Sequence, residues 1–191
     1  MATMIALGVW QLQRAHRKEG LIARYSANAT RPAMAFPAMG PVSDDAMFRA
    51  SQVNCLRVAA WRTTGGRAMT GRGGTRHIAE CTTSAEGPGA LVDMGVSTDP
   101  KFVPLWSGGP VAGTITTEPD RATLIDALFG TRPVLRPMLV ATTAAPGLAA
   151  STRPTATQMT NNHRAYAVQW FVFAAIALVV FAVALGRRSA K

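Results

Sequence analysis

The stretch "NNHRAYAVQWFVFAAIALVVFAVALGRR", residues 161–188, decides the fold class. From Phe171 to Leu185 no side chain is polar, and from Ala165 to Leu185 only Gln169 interrupts an apolar run of 21 residues. At the helical rise of ~1.5 Å per residue this run spans about 30 Å, the thickness of a bilayer's hydrocarbon core. A buried helix of a soluble protein is the competing reading, and the flanks argue against it. Trp170 stands near one end, where amphipathic rings favour the interface, and Arg187, Arg188 and Lys191 close the other. The sequence predicts a transmembrane helix over 161–186, followed by a cytoplasmic tail at 187–191.

The N-terminus, "MATMIALGVWQLQRAHRKEGLIARYSAN", repeats apolar side chains at helical spacing, and no proline intervenes before Pro32. A helix over 1–28 is expected. Its apolar part, Met1 to Leu12, covers only about 18 Å and cannot cross a bilayer alone. It is unlike a signal peptide, because its charges follow the apolar run and no small-residue cleavage site stands out. Either the segment dips partway into the membrane, or the true start lies upstream and the span is cut short; the second is the expectation.

Between the helices, residues 29–160 suit one sizeable extramembrane domain. "PAMAFPAMGPVSDD", 32–45, reads as an entry loop. "NCLRVAAWR" (54–62), "RHIAECTT" (76–83), "GALVDMGVS" (89–97) and "GGPVAGTIT" (108–116) read as strands. Gly65-Gly66 is placed to close a hairpin, and "GRGG" at 71–74 reads as turns, since the Lys-Ser/Thr of a phosphate loop is absent. "PDRATLIDALFG", 119–130, reads as a short amphipathic helix and "TTAAPGLAASTRPTATQ", 142–158, as a low-order linker. The fold class is therefore membrane α+β: one β-rich domain between an N-terminal, apparently truncated span and a C-terminal transmembrane helix.

The net charge of +10 invites a nucleic-acid reading. The basic residues are scattered as single arginines, with no stripe and no interleaved stacking aromatics, so nucleic acid is not expected as a partner. The excess suits anionic lipid near both ends of the chain, and the bilayer is an expected partner. Cys55 and Cys81 form a disulfide if the domain faces an oxidising compartment, and otherwise are buried small hydrophobes. His77 with these cysteines lacks the C-x2-C spacing and the fourth ligand of a metal site. No nucleophile sits in a recognisable motif, and His16, His77 and His163 lie far apart in sequence, so no enzymatic activity is expected.

At the entrance of the last helix, His163, Tyr166, Ala167 and Trp170 fall at i, i+3, i+4 and i+7, on one face. An imidazole offers one ring nitrogen to a metal while a partner orients the other, and flat neighbours suit a planar macrocycle. The N-terminal helix offers a complement in Trp10, Gln11 and Arg14, the last suited to a propionate. Against this stands a plainer reading, in which Trp10, Tyr166 and Trp170 anchor the helices at the interface and His163 caps or solvates a helix start.

"LGVWQLQRAHRKEGLI" (7–22) and "NNHRAYAVQWF" (161–171) resemble the paired signatures of the Surfeit locus protein 1 family. There, an LG-x-WQ-x-x-R stretch closes a first membrane helix and an NH-x-x-YA-x-x-WF stretch opens the second. Leu7, Gly8, Trp10, Gln11, Leu12 and Arg14 match the first; Asn162, His163, Tyr166, Ala167, Trp170 and Phe171 match the second. Where the family tends to carry valine-asparagine-arginine-glycine-tryptophan, this chain has Val92, Asp93, Met94, Gly95 and Val96. The "GGPVAGTI" segment, with Gly113, keeps the family pattern. The resemblance implies a multi-pass assembly factor for cytochrome c oxidase in the bacterial inner membrane, or in that of mitochondria, with its central domain extracytoplasmic. It further implies a chaperone-like role in which haem a is held for oxidase subunit I, alongside other assembly factors. His163 is the implied haem ligand and metal-binding residue, and the helix faces described above would set Tyr166, Trp170, Trp10, Gln11 and Arg14 around the cofactor. The alternative is a membrane-anchored adaptor that binds immature oxidase without carrying haem.

Overall fold

The computed structural model describes all residues except 85–88, 121, 123–125, 127–129, 131–132 and 190–191. The chain divides into two compact units. One comprises Met1–Ala23 with Thr157–Lys191, and the other is Arg24–Ala156.

The first unit is a helix pair. Helix α1 runs Ala2–Asn28, over the span its periodicity predicts. Helix α2 runs His163–Ser189 and carries Arg187 and Arg188 in its last turn. Asn162 precedes the first helical residue, and its carbonyl accepts from Tyr166 N, so the residue at the start of α2 is Asn162 rather than His163. Among the described residues, one helical segment, Ala156–Arg188, is long and apolar enough to cross a membrane, with a mean hydropathy of 2.6. Only 6% of its apolar stretch is buried within the chain, unlike the core helix of a soluble protein, which is mostly buried. α1, 27 residues long like α2, does not reach that apolarity, in line with its short apolar stretch.

The second unit is a seven-stranded sheet. Its strands are β1 (Met34–Ala35), β2 (Ala50–Cys55), β3 (Arg57–Arg67), β4 (Gly73–Thr82), β5 (Ala90–Ser97), β6 (Gly109–Thr117) and β7 (Pro137–Ala141). They lie in the order β1-β2-β6-β7-β5-β4-β3, antiparallel except for the β1–β2 and β5–β7 pairs. β2 alternates exposed and buried, as a half-covered strand must, whereas every residue of β5 and β7 is buried. Leu56 alone separates β2 from β3, yet those strands stand near opposite ends of the order. The sheet therefore curls until its two sides meet. There Leu56 N donates to Thr82 O, Val58 N donates to Ser107 O, and a disulfide joins Cys55 to Cys81. Val53, Val92, Met94, Ile115 and Leu139 fill the main core, and Ile78, Leu91, Met138 and Val140 form a second cluster.

Three local expectations change. Gly65 and Gly66 do not close the hairpin: they lie inside β3, opposite Thr75 and Gly74, and the turn falls at 68–72, where Gly71 has φ +84°. The segment expected as a low-order linker is packed. Ala149 bridges Val96, Ser151 bridges Ala68, and Ala145, Ser151 and Ala156 are buried. β7 and the two-residue β1 have no counterpart among the expected strands, and the one expected over 54–62 is broken at Leu56 between the end of β2 and the start of β3. The helix expected over 119–130 falls largely on residues outside those described.

Candidate functional site

α1 and α2 run antiparallel, joined by contacts of Gly8 with Phe171, Gln11 with His163 and Glu19 with Arg164. Ala15 and Ala167 are buried, and Gly8 leaves the space that the Phe171 ring fills, since a β-carbon there would stand 2.6 Å from that ring. Gly8 and Ala15 are seven residues apart, as are Ala167 and Ala174, so each helix turns a small side chain to the seam every two turns. Polar contacts continue the same face. Gln11 Oε1 lies 2.8 Å from His163 Nδ1, and Asn161 Nδ2 donates to Ala15 O at 3.4 Å. Arg164 grips Glu19 with two nitrogens, at 2.7 and 2.9 Å.

The residues singled out from sequence are thus partly gathered. His163 and Gln11 meet directly. The Arg14 guanidinium sits 5.1 Å above the Trp10 ring, a cation–π pair on the exposed side of α1. Trp170 packs edge-on against Phe173, and Tyr166 remains half exposed. Sequence reasoning missed Glu19, Arg164 and Asn161. A single opposite charge beside each motif was the available signal for the first two. The spacing of Gly8, Ala15, Ala167 and Ala174 was the signal for the seam.

The hydrogen bond decides what His163 can do. An amide oxygen only accepts, so Nδ1 donates, and the neutral ring then keeps its lone pair on Nε2. Such an imidazole is a ready metal ligand. Among the described residues no three His, Cys, Asp or Glu side chains gather into a metal-binding group. A lone histidine suits a metal that brings its other donors with it, as a haem iron does in its porphyrin, better than it suits a bare zinc ion. The residues present fit a haem in this respect. Cys55 and Cys81, bonded to each other, are not metal ligands, and both nitrogens of His77 lack a partner.

A second polar centre lies inside the sheet domain. Asp93 is fully buried on β5, where Oδ1 accepts from Ser151 Oγ at 2.7 Å and from Gly95 N at 3.1 Å. Arg76 Nε stands 3.2 Å from Oδ2. Burial pushes the Asp93 pKa up, and Arg76, Ser151 and the Gly95 amide only partly offset it. Gly95 has φ +131° with Ala149 O close by, so the glycine is required where this strand bends. The arrangement is structural, since Ser151 and Asp93 are sealed from solvent.

A sequence model described as SURF1 family matches residues 1–175. No curated protein matches the chain.

Proposed function

The chain belongs to the SURF1 family, which is membrane-associated and linked to cytochrome c oxidase assembly, and on that premise we propose that it is a non-catalytic factor holding haem a for the oxidase's catalytic subunit. The observation that supports this reading is the His163–Gln11 hydrogen bond, which leaves the ring's lone pair on Nε2. His163 would hold the haem iron, with Tyr166 and Trp170 as apolar surroundings and Trp10 with Arg14 as an aromatic face and a cation for a propionate. Bound haem would supply a Lewis-acidic iron that accepts the imidazole nitrogen.

The proposed address is the bacterial inner membrane, with the sheet domain outside the cytoplasm and the Arg187-Arg188 end inside. The Cys55–Cys81 disulfide supports this, because such bonds persist in oxidising compartments. Oxidase subunit I and further assembly factors are the proposed partners. The adaptor reading draws on Arg14, whose guanidinium is engaged with Trp10, and on the half-exposed Tyr166, which suits interfacial anchoring.

The test is the visible spectrum of the protein purified from cells that make haem a. A Soret band that His163→Ala abolishes, with membrane yield unchanged, is the expected result. A colourless protein that still co-purifies with oxidase subunits would establish the adaptor instead.

A further inference from the structure

We infer that Gln11 is a positioning residue, whose side-chain oxygen fixes the His163 proton on Nδ1 and so keeps Nε2 unprotonated for iron; the role deepens the haem-holding reading and rests on it. In water a neutral imidazole carries its proton mostly on Nε2, the nitrogen a metal would need free. Left alone, His163 would therefore spend most of its time in the wrong tautomer. At 2.8 Å the Gln11 oxygen accepts one hydrogen bond, and Nδ1 is the atom facing it. His163 is half-buried against α1, so its ring is held in place.

The seam explains how a neutral side chain achieves this across 152 residues of sequence. Gly8, three residues before Gln11, admits the Phe171 ring of α2, and Ala15 and Ala167 are buried, so the two helices are packed together around this hydrogen bond. A glutamine then spans the remaining gap. A bulky residue at Gly8 would lengthen it and release the proton.

The experiment uses the full chain in detergent, free of haem, with nitrogen-15 in its histidines. At a pH where the imidazoles are neutral, the two ring shifts of His163 report which nitrogen carries hydrogen. His163→Ala identifies those signals. In the wild type the proton is expected on Nδ1. Gln11→Leu should return it to Nε2, and Gln11→Glu, whose carboxylate also accepts, should keep it on Nδ1. In parallel, titration with ferric protoporphyrin IX should show affinity reduced roughly 10- to 100-fold in Gln11→Leu, as for other partners that orient a ligating histidine, and restored in Gln11→Glu. A wild-type ring protonated on Nε2, or a Gln11→Leu ring with an unchanged tautomer, would overturn the inference. Porphyrin binding as tight in His163→Ala as in wild type would instead overturn the haem reading, and the tautomer response would show that the two had failed separately.

Discussion

His77 and Asp93 give the sheet domain two opposite dependences on pH. His77 is buried edge-on to Trp61 and Phe102 with both ring nitrogens unpaired, and burial pushes its pKa below the ordinary histidine value. Its folded value lies below its unfolded one, so its stabilising contribution is present above the unfolded value and is lost as pH falls below it. Asp93 is the reverse. Its raised folded value makes its contribution complete below the unfolded carboxylate value, and that contribution is lost as pH rises through the folded one. His77→Phe should therefore remove stability gained with rising pH, and Asp93→Asn should remove stability lost with it. Urea midpoints of the detergent-solubilised chain, followed by tryptophan emission from about pH 4 to 7, should rise less with pH than wild type for His77→Phe and more for Asp93→Asn. Parallel curves for all three proteins would refute both assignments. At this scale the sequence was uneven. His163 and Gln11 were legible because each lies in a helix with a known period. Asp93 could not be read, because the hydroxyl that satisfies it, Ser151, lies 58 residues away in a stretch whose composition looks like a linker.

The elements were legible where one periodicity governed a long run, as in α1 and α2, and less so where glycines carried several meanings. Gly66 and Gly74 sit in neighbouring strands because a β-carbon at Gly66 would stand 2.7 Å from the Arg76 side chain, and one at Gly74 would meet Ser97 O at 2.3 Å. From sequence they are indistinguishable from turn glycines, since both roles demand the missing side chain. β7 is hard to foresee because "PMLVA" is five residues long and begins with proline, which a strand accepts at its first position. Gly8 is the element-scale counterpart in the helix pair. A methyl group there collides with the Phe171 ring, so Gly8→Ala should displace that ring, the end of a flexible side chain, at a cost of about 1 kcal/mol, the low end for overpacked contacts. Phe171→Ala in the same chain should relieve the collision. The measurable consequence is the His163 ring: its proton should leave Nδ1 in Gly8→Leu and remain there in Gly8→Ala with Phe171→Ala. If Gly8→Leu binds porphyrin as the wild type does, the close seam is not what holds the two motifs together.

For the whole molecule, the disulfide links how the sheet is closed to where the domain resides. Cys55 ends β2 and Cys81 lies near the end of β4, strands that are not neighbours in the sheet, and the bond crosses where the curled sheet meets itself. Its sequence separation of 26 residues implies about 3.5 kcal/mol of stabilisation from reduced unfolded-chain entropy. For a single sheet domain that is a large share of a typical total of roughly 5–15 kcal/mol. Replacing both cysteines by serine should thus lower the urea midpoint markedly, and adding a reductant under denaturing conditions should reproduce the loss in the wild type. The pairing could not be read beforehand, because two cysteines fix a connectivity only if the compartment is known. That dependence runs the other way once the bond is present. If the sheet domain faces an oxidising compartment, cells quenched in acid and then treated with a thiol-reactive mass tag should yield an untagged chain. The same sample reduced first should take up two tags. With the last helix spanning the membrane, a reporter active only outside the cytoplasm should be silent when fused behind Lys191. Tagged cysteines in the unreduced sample together with an active reporter would invert the orientation, and the proposed haem-holding face would then open toward the cytoplasm.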